Sequence, residues 1–421
     1  MGTWKGYRCS ICGKDYPPAD VMYTCPEDGG NLDVILDYEH IKQSSSPGNI
    51  AASRDGSIWR YLPLLPVGDP GHAGTALRAV GWTPLLRPPA LGKRLQMEHL
   101  YIKDDGRNPT ASFKDRASAV AVTRAEEIGA EIIVTASTGN AGAALAGMAA
   151  AAGMPAVILA PKTAPPAKIA QLLIFGANVI LVDGTYDDAF DLTLEASDAF
   201  DWYCRNTGYN PFTAEGKKTA AFEIAEQYSK AVGLKADAIW QVPDVVLVSV
   251  GDGNIISGLH KGFKDLKQLE WIERIPRIIG VQSTGSAAIY NAFAAGTEDI
   301  QPVQADTKAD SISVDLPRDG LRALRAATQT GGAYVAIPDE EIMRAIADLG
   351  RDAAVFAEPA GAAAHAGLLE ALDKGLVQRD ESVLVLNTGN GLKDIKAAMS
   401  AAGEAVVIKP ELEALKAALG K

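Results

Sequence analysis

The chain has 421 residues, with 47% hydrophobic residues, 22% charged residues and a formal charge of −12 at pH 7. This length suggests two or three domains, and the composition is that of a globular protein. The acidic balance argues against a nucleic acid or an anionic membrane as partner, because either would repel the surface on average. A small-molecule ligand, including an anionic one bound in a local basic pocket, is compatible with it.

The first 42 residues predict a small, turn-rich unit. Cys9 and Cys12 form one pair, and after twelve intervening residues Cys25 and Asp28 form a second. This spacing is typical of a zinc ribbon, in which each of two knuckles supplies two ligands. A carboxylate can ligate zinc, so one interpretation is a Cys3Asp site; the other is a knuckle that folds without metal. Cysteines grouped in this way indicate a reducing compartment more than a disulfide framework.

No signal peptide or myristoylation motif opens the chain, so a cytoplasmic location is expected. The uncharged run 141–161 is long enough for a membrane helix. Gly153, Met154 and Pro155 interrupt it, however, and predict an alanine-rich helix followed by a short strand. Residues 43–70 are rich in Ser, Gly and Pro and predict a linker and an arm.

Lys114 is predicted to lie at the start of a helix. Pro109 holds its predecessor extended and Ser112 is a suitable helix N-cap, so a helix over 115–128 should open beside Lys114. The helix dipole and the neighbouring Arg116 both disfavour a protonated amine, which leaves an amine able to condense with a carbonyl. Taken alone, a lysine on a solvated surface is an equally good interpretation.

Strands and helices alternate along the rest of the chain. The predicted strands are 132–136, 156–160, 178–182, 245–250, 277–282, 333–337 and 382–387. The predicted helices are 167–175, 186–200, 339–350 and 359–372. Such alternation favours right-handed βαβ units, whose ligands bind at the carboxyl ends of the strands. We therefore predict an α/β fold with two doubly wound parallel-sheet domains and the zinc-ribbon-like unit.

Three domains are expected, with a ligand cleft between the two larger ones. Their predicted limits are 1–42 for the N-terminal unit, 43–125 with 236–421 for the large domain, and 126–235 for the small domain.

Two loops that directly follow predicted strands have the composition of anion sites. They are Ser-Thr-Gly-Asn at 137–140 and the glycine-rich 251–258. Backbone N–H groups at a helix start bind anions, and glycines let the main chain wrap a phosphate. Taken singly, the first loop is also explained as a turn and cap, and the second as a nucleotide-binding turn.

Residues 108–116, Asn-Pro-Thr-Ala-Ser-Phe-Lys-Asp-Arg, resemble the cofactor-lysine motif of threonine synthases. These belong to the fold type II (tryptophan synthase β-like) group of pyridoxal-phosphate enzymes, and their motif has Gly at the position of Ala111. Residues 81–86 and 387–394 resemble two further family segments, and the resemblance extends over about 7–395. It implies a fold type II structure with pyridoxal 5'-phosphate in the cleft between the domains.

The resemblance also implies a role for each loop. Lys114 would form the Schiff base with the cofactor and move protons in catalysis, Asn140 would contact the 3-hydroxyl, and Thr388 would meet the pyridine nitrogen. A hydroxyl there favours elimination and replacement over transamination. Asp252 stands where relatives usually have Asn, so its carboxylate is expected to point away from the phosphate. The implied cofactor-binding residues are Lys114, Asn140, Gly251, Asp252, Gly253, Asn254, Ile255 and Thr388.

The implied substrate-binding residues are Ser137, Thr138, Gly139, Asn210 and Thr213. The first three would hold the α-carboxylate. Thr213 lies in a segment that resembles the family's Asn-Pro…Glu-Gly-x-Lys-Thr stretch, at a position where an Arg usually helps to hold a phosphate leaving group. Its loss costs on the order of 2 kcal/mol unless another cation replaces it. The candidate replacements are Arg205, Lys217, Lys218 and Arg318.

The implied activity is that of threonine synthase, a carbon–oxygen lyase. It converts O-phospho-L-homoserine and water to L-threonine and phosphate, and the family implies a homodimer. The alternative enzyme is a related lyase that performs β-elimination or β-replacement on serine, threonine or phosphoserine. A protein that binds pyridoxal phosphate or an amino acid without turnover is the alternative from another class, and Lys114 argues against it. Glu358 opens a predicted helix and is expected to be structural, with a role in lining the site as the alternative.

Overall fold

The computed structural model describes residues 3–164 and 166–420. The N-terminal unit is a three-stranded antiparallel sheet in the order β2-β1-β3, formed by β1 (Trp4–Cys9), β2 (Asp15–Tyr16) and β3 (Leu32–Leu36). Alternate residues of β3 are buried because successive side chains of a strand point to opposite faces. Two short helices follow, α1 (Tyr38–Ser44) and α2 (Pro47–Ala51).

Residues 43–70 are not the linker and arm that their composition suggested. Trp59, Tyr61 and Leu64 lie fully inside the protein and belong to its largest apolar cluster. The serines serve as helix caps: Ser46 Oγ accepts a 3.2 Å hydrogen bond from Asn49 N at the start of α2. A composition rich in Ser, Gly and Pro therefore reflects short helices here.

Two parallel sheets form the rest of the protein. The elements between residues 85 and 231 belong to both sheets. They are β4 (Leu85–Leu86), α3 (Pro89–Leu95), β5 (Leu100–Asp104), α4 (Lys114–Glu127), β6 (Ile133–Ala136), α5 (Asn140–Ala152), β7 (Ala156–Pro161), α6 (Pro166–Ile174), β8 (Asn178–Val182), α7 (Tyr186–Phe200), β9 (Tyr203–Cys204) and α8 (Pro211–Ala231). The smaller sheet has the order β8-β7-β6-β9, and its strand pairs are all parallel.

The remaining elements complete the larger sheet. They are β10 (Val245–Ser249), α9 (Asn254–Gln268), β11 (Arg277–Ser283), α10 (Ala288–Ala295), α11 (Gly320–Thr328), β12 (Ala333–Ile337), α12 (Asp339–Ala353), α13 (Pro359–Asp373), β13 (Val383–Asn387), α14 (Ile395–Ala402) and α15 (Leu412–Ala418). The order is β12-β11-β10-β13-β5-β4, parallel except for the short edge strand β4.

Helices cover both faces of the larger sheet. In β10, Val246 and Val248 join an apolar cluster that includes residues of α4, α8 and α9. Val245 and Leu247, which point the other way, join a separate cluster with α12 and α13. Burial on both faces explains why the parallel strands are almost continuously apolar. The predicted α/β fold with parallel sheets is confirmed, whereas the domain limits stay a prediction.

The run 141–161 forms α5 and β7, joined by a turn in which Gly153 has a φ of +72°. Among the described residues, no helix combines the length and the apolar character needed to cross a membrane.

Candidate active site

A cleft of about 610 Å³ lies where the carboxyl ends of the two parallel sheets face each other. This volume is typical of small-molecule sites. Its walls include residues that directly follow β6, β9 and β10, namely Ser137, Arg205 and Asp252. An adjoining recess is lined by the loop 251–255 and by Thr388, which follows β13. The loops predicted to carry the chemistry thus meet at one place.

Lys114 lines both the cleft and the recess. It is the first residue of α4, so the helix begins one residue earlier than predicted and Phe113, not Ser112, occupies the N-cap position. Burial and the nearby Arg205 guanidinium lower the pKa of Lys114, while the carboxylates of Glu358 and Asp252 act in the opposite direction. The lowered pKa favours the neutral amine that can react with a carbonyl.

Arg116, expected to be the cation beside Lys114, is instead part of a fully buried ion network. Its guanidinium pairs with Asp105 at 2.6 Å and with Glu223 at 2.6 Å, and Lys103 pairs with Glu223 at 2.7 Å. Glu223 also accepts a 2.7 Å hydrogen bond from Trp82 N, which fixes the segment that precedes the lysine loop. Arg116 therefore supports the loop, and Arg205 is the cation that acts on Lys114.

The loop before Lys114 is joined to the loop after β13 by the main chain. Phe113 N donates to Thr388 O at 2.9 Å, and Asn390 N donates to Ala111 O at 3.0 Å. Ala111 has a φ of +67°, in the left-handed region that favours glycine. This conformation explains why the family motif has Gly at the position. The lysine and Thr388 are consequently held in fixed register.

The glycine-rich loop 251–255 forms a cradle at the start of α9. Gly253 has a φ of +89°, and a Cβ there would meet Asp319 O at 2.7 Å, so the tight turn needs glycine. Asn254 Oδ1 accepts hydrogen bonds from Lys217 Nζ and, at 3.2 Å, from Thr213 Oγ1. Backbone N–H groups at a helix start, with a cation behind them, suit a phosphate.

Two charged residues border this cradle. Burial lowers the pKa of Lys217 well below its ordinary value, with further lowering by Arg205 and Lys114. A bound anion would stabilise its charged form. Asp252 lines the cleft, and its carboxylate accepts a 3.4 Å hydrogen bond from Arg318 N; its orientation away from the phosphate stays a prediction. Burial raises the pKa of Asp252, against the opposing effects of the Arg318 N–H and of Lys114 and Lys217.

The predicted carboxylate loop 137–140 lines the cleft at the start of α5. Asn140 Nδ2 donates a 2.7 Å hydrogen bond to Glu358 Oε1. Glu358 is buried, and burial raises its pKa to about 7 against the opposing effects of Lys114 and Asn140. The sequence favoured a structural role for Glu358 and kept a site-lining role as the alternative, and Glu358 does line the recess. One signal was available: Glu is an unusual residue at an N-cap position, and its side chain makes no cap hydrogen bond here.

Arg205 is a buried arginine with an unused donor. Its Nε donates to Ser118 Oγ at 3.1 Å and its Nη1 to Thr207 Oγ1 at 2.7 Å. Its Nη2 has no hydrogen-bond partner within residues 3–164 and 166–420. Burial lowers the pKa of Arg205 to about 10. A buried donor left unpaired costs free energy, so an acceptor brought by a ligand would be favourable.

The other candidate cations differ in position. Arg318 lines the cleft, where it pairs with Asp187 at 2.6 Å and lies 4.6 Å from the Phe190 ring centre. Lys217 lines the recess. Lys218 pairs with Asp265 at 2.9 Å and also with Glu215, so it is already compensated.

Asn210 and Thr213 do not line the cleft or the recess as these are formed by the described residues. Asn210 caps α8 by accepting a 2.9 Å hydrogen bond from Phe212 N, and donates to Cys204 O at 2.7 Å. Their predicted contact with substrate stays a prediction. Their hydrogen bonds support the two loops that carry Arg205 and Asn254.

The predicted metal ligands also come together, far from the cleft in sequence. One ligand atom from each of Cys9, Cys12, Cys25 and Asp28 lies within 4.8 Å of the others. The four residues fall in the turns around the three-stranded sheet, with Cys9 at the end of β1.

The residues of the cleft fit pyridoxal phosphate. Lys114, whose pKa is lowered, lies beside a tight turn that has no room for a Cβ at Gly253, and the buried Lys217 lines the same recess. Thr388 Oγ1 lies 3.4 Å from Ser249 Oγ, and both residues line the same recess. A reactive amine, an anion cradle and a hydroxyl are the groups that this cofactor needs.

Comparisons with known proteins agree with this site. Residues 76–389 match the family model described as pyridoxal-phosphate dependent enzyme. Threonine synthase from Methanocaldococcus jannaschii is 40% identical over 411 residues, which cover 97% of this chain and 98% of that protein. Threonine synthase from Synechocystis sp. is 37% identical over 379 residues, covering 89% and 93% of the two chains.

Among solved structures, threonine deaminase isoform 2 from Solanum lycopersicum superposes with a TM-score of 0.65 at 24% identity, covering 82% of this chain and 94% of that one. At this identity the likeness shows the fold alone. The chain belongs to the threonine synthase family of pyridoxal-phosphate-dependent enzymes.

Proposed function

We propose that the protein converts O-phospho-L-homoserine and water to L-threonine and inorganic phosphate. Family membership over nearly the full chain supports this reaction. The observation that carries it is the presence of two separate cationic places in one cleft. Lys217 lines the recess beside the glycine cradle, and Arg205 lines the cleft with an Nη2 donor that has no hydrogen-bond partner within residues 3–164 and 166–420. A phosphorylated cofactor and a phosphorylated substrate together need two such places.

The cofactor site is assigned to the recess. Lys114 would bond to the cofactor, the loop 251–255 would bind its phosphate, Asn140 would contact the 3-hydroxyl and Thr388 would meet the pyridine nitrogen. Glu358 positions Asn140 through their 2.7 Å hydrogen bond. When bound, pyridoxal phosphate supplies an electron sink that stabilises negative charge on the substrate carbon.

The substrate site is assigned to the outer cleft. Ser137, Thr138 and Gly139 bind the α-carboxylate with N–H groups at the start of α5. Arg205 binds the phosphate and replaces the family arginine whose position Thr213 occupies. Arg318, at the same cleft, adds positive charge.

Lys114 is the group that moves protons. Its lowered pKa lets the amine take protons from Cα and Cβ of the substrate and return protons to Cγ and Cα. Arg205 stabilises the phosphate as it leaves from Cγ, because a guanidinium favours the growing negative charge. Water then adds at Cβ.

Product analysis with phosphohomoserine tests the function. Threonine and phosphate in equal amounts are expected, and borohydride reduction with peptide mapping should find the cofactor on Lys114. Ammonia and an oxoacid from serine or threonine, with no phosphate release from phosphohomoserine, would identify the alternative lyase.

A homodimer working in the cytoplasm is the proposed state. The exposed apolar side chains of the C-terminal segment, among them Val406, Val407, Leu412 and Leu419, support association with a second copy. The free cysteines of the N-terminal unit support a reducing compartment. Light scattering of the purified protein measures the assembly, and a monomer at micromolar concentration would contradict it.

A further inference from the structure

We infer that Cys9, Cys12, Cys25 and Asp28 bind one zinc ion, and that this ion holds the loop that carries Arg205 in place. The metal site is independent of the proposed function. The effect on substrate phosphate rests on the proposed function, so the two parts are tested by separate measurements.

The two halves of the cluster are the same turn, built twice. Cys9 N donates to Lys14 O at 2.9 Å, and Cys25 N donates to Gly30 O at 2.9 Å. Gly13 N donates to Cys9 O at 3.1 Å, and Gly29 N donates to Cys25 O at 2.9 Å.

Each glycine is in the left-handed region, with φ of +74° at Gly13 and +70° at Gly29. In this repeat Asp28 occupies the position that Cys12 has in the first turn. Such paired turns are typical of zinc knuckles, in which each turn supplies two ligands.

The distances between ligand atoms suit a tetrahedral ion. Cys12 Sγ lies 3.9 Å from Cys25 Sγ, and Cys9 Sγ lies 3.3 Å from Asp28 Oδ1. Zinc–sulfur bonds of about 2.3 Å and zinc–oxygen bonds of about 2.0–2.2 Å place neighbouring ligands of a tetrahedron about 3.5–3.8 Å apart.

The surroundings also favour bound metal. The sulfurs are too far apart for a disulfide, whose S–S bond is about 2.05 Å. Ile11 N points at Cys9 Sγ from 3.3 Å, and such a donor stabilises a thiolate. Cys9 and Cys25 are buried, whereas Cys12 and Asp28 are exposed, which leaves an entry path for the ion. Three sulfurs and one carboxylate at tetrahedral spacing indicate zinc.

The second knuckle supports the anion-binding loop directly. Asn31, next to the knuckle, donates through Nδ2 to Gly208 O and, at 3.2 Å, to Arg318 O. Asn31 O in turn accepts a 2.9 Å hydrogen bond from Ser10 N, which joins this segment to the first knuckle. A metal that fixes both knuckles therefore fixes the residue that holds the Arg318 main chain.

A further contact runs from the same segment to the strand before Arg205. Tyr23 OH accepts a 2.9 Å hydrogen bond from Cys204 N, and the Tyr23 ring stacks on Tyr209 at 4.6 Å. Residues 203–209, which include Arg205, are thus held from both ends by the segment that contains the second knuckle. Release of the metal should loosen this loop.

The first test is elemental analysis of the purified full-length protein. One zinc per chain is expected in the wild type, with strong loss in Asp28→Asn, which keeps the shape but not the charge of the ligand. Asp28→Cys should retain the ion, because it completes a four-cysteine site. Cys204→Ala removes the cysteine outside the cluster and should leave the zinc content unchanged. A wild type that holds no zinc even after incubation with zinc salt would overturn the metal site.

The second test measures the loop. Hydrogen exchange at 203–209 should become faster in Asp28→Asn and return towards the wild-type rate in Asp28→Cys. The KM for phosphohomoserine should rise about tenfold, the effect of weakening one hydrogen bond to a charged group, with a smaller change in kcat. Zinc loss with unchanged exchange and unchanged KM would overturn the support role. Metal content and exchange need no substrate, so they stand even where phosphohomoserine is not turned over.

Discussion

Asn140 and Glu358 are joined across the cleft by a 2.7 Å hydrogen bond, which connects the start of α5 on the smaller sheet to the start of α13 on the larger one. Burial raises the pKa of Glu358 to about 7. This bridge between the two sheets therefore changes charge close to neutral pH.

Glu358 should make the cofactor-free protein less stable as the pH rises. Its folded-state pKa of about 7 exceeds the ordinary value of 4.5, so between these two values the native state holds the proton more tightly than the unfolded state. The stabilisation is complete below pH 4.5 and is lost as the pH rises through 7, by about 3 kcal/mol at most. Urea unfolding of the wild type and Glu358→Gln measures the difference, and equal pH slopes would contradict the assignment.

Lys114→Ala should lower kcat at least about 10³-fold, because the variant lacks both the amine that bonds the cofactor and the group that moves protons. Lys114→Arg places a permanent positive charge at the same position and should be equally inactive, which separates the reactive amine from simple charge. Both variants should unfold at temperatures near that of the wild type. Full activity in either one would remove the proposed mechanism.

Arg205→Met should raise the KM for phosphohomoserine about 30-fold, the equivalent of about 2 kcal/mol for a lost charge-assisted pair. The same change should preserve or raise the melting temperature, because it removes a buried guanidinium with an unpaired donor. A merely structural arginine would lower both affinity and stability. The exposed Arg344 offers a control, and Arg344→Gln should leave KM unchanged.

Ala111→Gly should stabilise the protein. Ala111 holds a φ of +67°, which costs a residue with a Cβ about 1–2 kcal/mol, whereas glycine loses only about 0.4–1 kcal/mol through greater freedom of the unfolded chain. We expect a net gain of roughly 0.5–1 kcal/mol in the free energy of unfolding. A loss of stability would show that the Ala111 methyl group contributes packing that outweighs the strain.

Glu223→Gln should destabilise the protein by about 3–5 kcal/mol, because it leaves the buried Lys103 without its carboxylate partner and leaves Arg116 with Asp105 alone. Chemical denaturation measures the loss. Glu340 is exposed on α12, and Glu340→Gln should change the free energy of unfolding by less than about 0.5 kcal/mol.

Local patterns in the sequence predicted much of this fold. The strand 178–182 and the helix 186–200 agree with the structure residue for residue, because short apolar runs and alternating faces depend on near neighbours. β5 was not predicted, since Lys103 and Asp104 are typical of exposed segments. They are buried because Glu223 and Asn387, distant in sequence, pair with them.

A site residue could be predicted from the sequence where a motif identifies it. It could not be predicted where its role depends on which charged residues it pairs with after folding. Lys114 and the loops after β6, β10 and β13 follow from motifs that end strands. The roles of Arg116 and Arg205 could not be distinguished, because each depends on which carboxylates lie within reach after folding. The carboxylate of Glu223 compensates Arg116, whereas within residues 3–164 and 166–420 Arg205 forms no ion pair.

The main-chain bonds from Phe113 to Thr388 and from Asn390 to Ala111 join two segments that leave the ribosome far apart in time. During synthesis the reactive lysine emerges early, but the strand that positions it is among the last parts of the catalytic core to appear. A chain released before residue 390 would contain Lys114 but would lack part of the loop after β13 that positions it. Premature termination should therefore yield fragments that do not hold the cofactor, so that only chains that contain both segments bind pyridoxal phosphate.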